Sequence, residues 1–221
     1  GSQTSLRVSV PLPQTDARLL HAVLTGLHGH RHDPYVAPWS LEQRTPRDWI
    51  VRWRRPEDAE RLAGTDHAVA LGVERGTITF GMARPIEAPR RLGPGWRRVR
   101  IEALRPVVQY RHGRSISVLT PTHRSLASAL ARVAAWVDPS LHGNGGSPEQ
   151  VRGLAVRTAE AHTEAATVQL GGKYGLVRGW VGSVDAEVSA TGAWLCLASE
   201  QLGLGGKTAL GLGRIRVQVL G

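Results

Sequence analysis

The stretch Gly175–Val217 reads GLVRGWVGSVDAEVSATGAWLCLASEQLGLGGKTALGLGRIRV, and the fold turns on how it is parsed. GLVRGWVGSVDAEV (175–188) has strand character, Ala193–Gln201 predicts a helix, and RIRVQVL (214–220) predicts a closing strand. Between helix and strand lies LGLGGKTALGLG (202–213), in which five of twelve residues are glycine. Gly206-Lys207-Thr208 is spelled like the tail of a nucleotide-binding P-loop, but that motif needs a further glycine at the position of Gln201. It must also follow a strand and open a helix, whereas here a helix enters the loop and a strand leaves it. A nucleotide phosphate site is therefore disfavoured. What remains is a pair of glycine–leucine–glycine units, Gly203-Leu204-Gly205 and Gly211-Leu212-Gly213, with Lys207 and Thr208 between them. Such glycines bring backbone N–H groups close to a partner, or simply let a loop pack tightly against a sheet; chemistry alone leaves both open.

Working outward, SLASALARVAAWV (125–137) is an amphipathic helix and Ile116–Thr120 a short strand, while Asp138–Gln150 is the clearest loop in the chain. GLAVRTAEAHTEAATVQL (153–170) adds another strand-like stretch. In the first half, Ser5–Leu12 alternates apolar and polar residues as a half-buried strand does. Asp16 is placed to cap ARLLHAVLTGLH, whose leucines recur at helical spacing. RDWIVRWRR (47–55) predicts a strand with Trp49, Val51 and Trp53 on one face and Ile50, Arg52 and Arg54 on the other. Pro56–Gly64 predicts a short helix, and two strands are expected around a turn at Glu74–Gly76. The order of elements is that of a ferredoxin-like α+β unit, and the second half repeats it loosely. Two domains, 3–105 and 106–221, each with an antiparallel sheet, are expected.

The charge points to a partner. Lys and Arg number 28 against 18 Asp and Glu, 26 of the 28 being Arg, and the net charge is +10. Nineteen of the basic residues fall in residues 1–115. A basic, asymmetric chain suits a polyanion, nucleic acid first. RRLGPGWRRVR (90–100) carries five Arg around Trp96, so Arg97 and Arg98 form a candidate RNA clamp or else a solvated linker. No apolar run is long enough to span a membrane, and the lone Cys196 permits no intrachain disulfide; a cytoplasmic protein is expected.

His28, His30 and His32 alternate in LHGHRHDPYVAPWSL, consistent with an exposed polar loop, a metal site or acid–base catalysis. Here a resemblance adds to the residues. Gly179-Trp180-Val181-Gly182, the helix after it, the glycine loop Gly203–Gly213 and the basic Arg214 resemble the C-terminal half of the CRISPR pre-crRNA-processing endoribonucleases of the RAMP superfamily. LTPTHRSLASALARVAAW (119–136) and Leu27-His28 followed by Pro34-Tyr35 and Ser40-Leu41 are similar to further segments of that family. The resemblance implies tandem ferredoxin-like (RRM-like) domains and a glycine loop that contacts RNA. It implies cleavage of CRISPR repeat RNA without metal or cofactor, and His28 as one proton-transfer group. His30 or His21 would take the other role, with Arg31 or Arg52 offsetting charge. Asp33 stands where members of the family often carry Lys. Gly203, Gly205, Lys207, Thr208, Gly211, Gly213 and Arg214, with Arg52, Arg54, Arg97 and Arg98, are the expected RNA contacts. Other CRISPR effector subunits, or a second copy in a homodimer, are the expected further partners. A RAMP subunit that holds guide RNA without cutting it would share the fold and the loop.

Overall fold

Strand β1 (Ser2–Val8) shows why the first unit folds as it does. Ser2, Thr4, Leu6 and Val8 are all buried while the residues between them are more exposed, so one face of the strand needs a cover. Helix α1 (Ala17–His28) supplies it with Leu20 and Leu24, both fully buried. The computed structural model of the chain describes residues 1–13, 16–29, 37–111, 116–138, 140, 151–171 and 174–221. They divide into a unit of residues 1–87 with 209–211 and a unit of residues 88–208 with 212–221.

In the first unit β2 (Trp39–Gln43), β3 (Asp48–Trp53), α2 (Pro56–Leu62), β4 (Asp66–Leu71) and β5 (Glu74–Phe80) follow, and a two-residue β6 (Arg84–Pro85) pairs with β1. The sheet runs β2-β3-β1-β5-β4, antiparallel throughout. β5 takes the place of the fourth ferredoxin strand, and β4 is a hairpin strand added outside it. Trp39, Trp49, Val51, Trp53, Ile78 and Phe80 join the helix leucines in one apolar core. Each such side chain contributes roughly 1.5–3 kcal/mol by leaving water. Two expectations are corrected. The hairpin turns at Gly72-Val73 rather than at Glu74–Gly76, because Gly72 takes the positive φ (65°) that a tight turn needs. Asp16 sits at the α1 N-cap but makes no side-chain capping bond.

The second unit repeats the order with β7 (Trp96–Val107), α3 (His123–Val137), β10 (Val156–Gln169), β11 (Leu176–Ser189), α4 (Ala190–Leu202) and β12 (Ile215–Val219). Its sheet runs β10-β11-β7-β12, again antiparallel, and β8 (Tyr110–Arg111) with β9 (Ile116–Ser117) forms a separate two-stranded pair. Ile116–Thr120 is therefore not the first strand of this unit; β7 is. The Arg-rich stretch expected to be a clamp or linker runs into that strand, because Val99 and Ile101 alternate inward between outward Arg98, Arg100 and Glu102. The units divide at Glu87–Ala88, ahead of the expected junction at 105, since β7 lies inside the second sheet. The preceding segment is not a loose tether either. Trp194 donates its Nε1–H to the Pro89 carbonyl (2.7 Å), and the Arg91 guanidinium lies 4.1 Å over the Trp194 ring while pairing with Asp138. Most of the expected Asp138–Gln150 loop lies outside the described residues.

Candidate functional site

The glycine–aromatic motif on β11 is a packing device. Trp180 is fully buried, with its Nε1–H donated to Gln109 Oε1 (3.0 Å), and Gln109 in turn donates to the Ser125 carbonyl of α3. A Cβ on Gly179 would stand 2.6 Å from the Val107 carbonyl oxygen. Gly182, at φ 104°, serves the opposite neighbour: its Cβ would meet the His162 carbonyl at 2.3 Å. The two glycines thus let β7 and β10 close on β11 around the indole.

The loop after α4 is built the same way. A helix enters the loop and a strand leaves it, as the sequence predicts, with a single three-residue 3-10 turn (Thr208–Leu210) between them in place of the α-helix that a P-loop would open. A Cβ on Gly213 (φ 73°) would lie 2.2 Å from the Leu204 carbonyl, and one on Gly205 (φ 84°) 2.5 Å from the Val108 carbonyl. Loop N–H groups are likewise met within the protein: Leu204 donates to the Gly213 carbonyl, Gly206 to that of Val108 and Gly213 to that of Pro106 at the end of β7. Gly203, Gly213 and Thr208 are buried, and Gly205, Lys207, Gly211 and Arg214 are half-buried. Residues 209–211 group with the first unit, where Ala209 joins the apolar core. Arg214 spends its guanidinium on the carbonyls of Glu200 (2.8 Å) and Gln201 (3.2 Å), closing the C-terminus of α4. Lys207 stands apart. It is the one non-glycine described residue with positive φ (62°), and its Nζ lies 5.3 Å from the Tyr174 ring. Tyr174, in the β10–β11 turn, escaped the sequence reading because nothing local ties it to a loop 33 residues on.

The histidine cluster belongs to the first unit. His21 and His28 lie two turns apart on α1, and both are buried. The Trp39 ring sits 5.3 Å from His21 and 5.4 Å from His28, and Trp53 stacks parallel to His28 at 6.4 Å. His28 Nε2 stands 3.0 Å from Asp58 Oδ2, and both side chains are only about one-twentieth exposed. Arg61 donates to the His28 carbonyl (3.2 Å). Asp58 was not foreseen: three residues into α2 it reads as an ordinary acid at a helix N-terminus. His30 and Arg31 lie outside the described residues. Arg52 is buried and ion-paired with Glu42 at 2.6 Å, so its charge is met within the protein; Arg54 is half-buried. In the second unit Arg97 donates to the Trp96 carbonyl, whereas Arg98 is exposed on β7.

Among the described residues no three His, Cys, Asp or Glu are grouped so as to hold a metal ion, and no helix is long and apolar enough to cross a membrane. Burial pushes the Cys196 thiol up to about 12, leaving it un-ionised at neutral pH.

No protein-family model matches the chain, and curated proteins give no match. Solved structures do. A Cas6 product complex from Thermus thermophilus is 16% identical over 99% of this chain and 100% of that one, with a TM-score of 0.58. The product of a Cas6-related gene from Pyrococcus furiosus is 12% identical over 99% of each chain, with a TM-score of 0.53. A RAMP protein described as binding different RNA substrates is 11% identical over 99% of this chain and 100% of that one, with a TM-score of 0.54. From its first strand to its last, through both ferredoxin-like units, this chain has the fold of the Cas6 and RAMP proteins.

Proposed function

We propose that the chain is an endoribonuclease that cleaves CRISPR repeat RNA in its precursor transcript, without a metal ion. The observation that carries this reading is the agreement of fold, over the whole length of both chains, with a Cas6 solved in complex with its product. The net charge of +10 and the glycine loop support RNA as the partner.

In the proposed reaction the 2′-hydroxyl beside the scissile phosphate attacks phosphorus in line. One protein group takes the hydroxyl proton and another gives a proton to the departing 5′-oxygen. The products are a 2′,3′-cyclic phosphate and a 5′-hydroxyl. His28 takes one of these roles and His30 or His21 the other, with Arg31, or Arg52 once RNA draws it from its pairing with Glu42, offsetting charge on the phosphorane. Because the His28 ring is buried, seating of the RNA must uncover it before it can exchange a proton. The glycine loop and Lys207 would meet the RNA backbone, with Arg54, Arg97 and Arg98 as further cationic contacts. Assembly with other effector subunits or as a homodimer belongs to the same proposal.

The test is cleavage of a labelled repeat RNA in EDTA by the wild type and by His28→Ala. We expect the wild type to cut and the variant to lose about 100-fold or more in rate. An equally active variant would remove His28 from the mechanism, and cleavage only on adding metal would overturn the metal-independent chemistry. The burial of His28 against Asp58 favours one second reading, a RAMP subunit that binds guide RNA without cutting it. Tight RNA binding with no cleavage by the wild type would establish that reading instead.

A further inference from the structure

Asp58 and Arg61, one turn apart on α2, both hold the last residue of α1. Arg61 binds the His28 carbonyl, and the Asp58 carboxylate faces the His28 ring at 3.0 Å. Arg61 also lies 3.9 Å from Asp58. The ring has little room to turn, since Trp53 lies parallel to it at 6.4 Å and Trp39 flanks it at 5.4 Å. Gly29 then takes the left-handed conformation (φ 71°) and ends the helix, so α2 fixes the point from which the histidine-bearing segment departs.

An ionised carboxylate accepts hydrogen bonds and donates none, so the nitrogen facing it must carry the proton. We propose that Asp58 is a positioning residue for His28: it holds the neutral imidazole with its proton on Nε2 and thereby assigns Nδ1 as the atom that exchanges a proton with RNA. The inference rests on the endoribonuclease reading, and it extends that reading to a residue that never touches the substrate. It also gives a buried carboxylate a task that an apolar side chain of similar size could not perform. Burying an acid and an imidazole together is costly, and packing alone would be served as well by a leucine.

Two measurements test it. Nitrogen-15 NMR of the wild-type protein at alkaline pH, where imidazole is neutral, reports which ring nitrogen of His28 bears the proton. A proton on Nε2 is expected; one on Nδ1 would overturn the proposal without recourse to any variant. In single-turnover cleavage of repeat RNA, Asp58→Asn is expected to slow the bond-breaking step about 100-fold while leaving the Kd for RNA unchanged, because an amide can offer Nε2 a donor and invert the tautomer. Combined with His28→Ala it should add no further loss, as members of one catalytic unit do not. An Asp58→Asn protein that cuts at the wild-type rate, or one that weakens binding in proportion to rate, would sink the assignment. Failure of the wild type itself to cut would instead remove the endoribonuclease reading, while the tautomer measurement would still stand or fall by itself.

Discussion

At Gly213 the backbone carbonyl of Leu204 occupies the space a methyl group would need, and φ lies at 73°. The obstructing atoms are backbone, so no flexible side chain can swing aside. Gly213→Ala should therefore cost about 2 kcal/mol or more, read as a lower denaturant midpoint, while Gly93→Ala, with open space around it, should change little. The doubled Gly-Leu-Gly pattern was legible as close backbone approach. Whether the approach is to RNA or to the protein was not, because the sequence does not say which carbonyls lie nearby. For Gly203, Gly205 and Gly213 the near atoms belong to the chain itself. His28 shows the same limit. Its place at the end of an amphipathic helix could be read, but its carboxylate partner lies thirty residues on, with no periodic pattern to link them.

Helices were the most legible elements, since apolar spacing alone places α1 and α3. Their ends differ in a way that can be measured. Thr122 accepts a hydrogen bond from the Ser125 N–H, and Ser125 Oγ answers by accepting from the Thr122 N–H, a complete capping box. Thr122→Ala should lose about 1 kcal/mol, and Asp16→Ala, where no capping bond exists, less than about 0.5 kcal/mol, by thermal or urea unfolding. Strand β7 was the element the sequence concealed. Its alternation is present in Arg98, Val99, Arg100, Ile101 and Glu102, but five arginines in eleven residues read as a nucleic-acid clamp or a solvated linker. An inner strand can carry that charge because one face is open and its arginines find acids there. Arg100 binds both oxygens of Asp185 on the neighbouring strand at 2.7 and 2.8 Å.

For the whole molecule, positive charge is concentrated along one stretch of chain and partly cancelled within a sheet. Residues 90–114 hold eight arginines and a single acid, Glu102. Yet on the open face of the second sheet the pairs Arg100–Asp185, Arg157–Glu187 and Arg216–Glu102 are matched within the sheet. Among the described residues that face carries these ion pairs, and its Trp96 ring is covered by the Arg157 guanidinium at 3.6 Å rather than left open to stack on a base. Charge reversal at Arg97 and Arg98 should lower the slope of log K against log salt for RNA by about one for each phosphate no longer neutralised; an unchanged slope would mean that neither touches RNA. The sheet pairs have a signature in pH instead. Hydrogen bonding from Arg100 holds the Asp185 carboxyl below its usual range. Its stabilisation is therefore full above the ordinary carboxylate value of about 4 and is lost as pH falls through the depressed folded value. Asp185→Asn should unfold with a midpoint that depends less on pH below about pH 4 than the wild type does, in urea titrations across that range.

Lys207 holds a backbone conformation that glycine adopts freely and lysine only at a cost of about 1 kcal/mol. Any search for hardier versions of this protein by heat challenge would favour Lys207→Gly as a gain. If the loop meets RNA as proposed, that gain would strip the cation from the point where the two touch. The position is thus one where robustness and function pull in opposite directions, and improving the protein by stability alone would quietly disarm it.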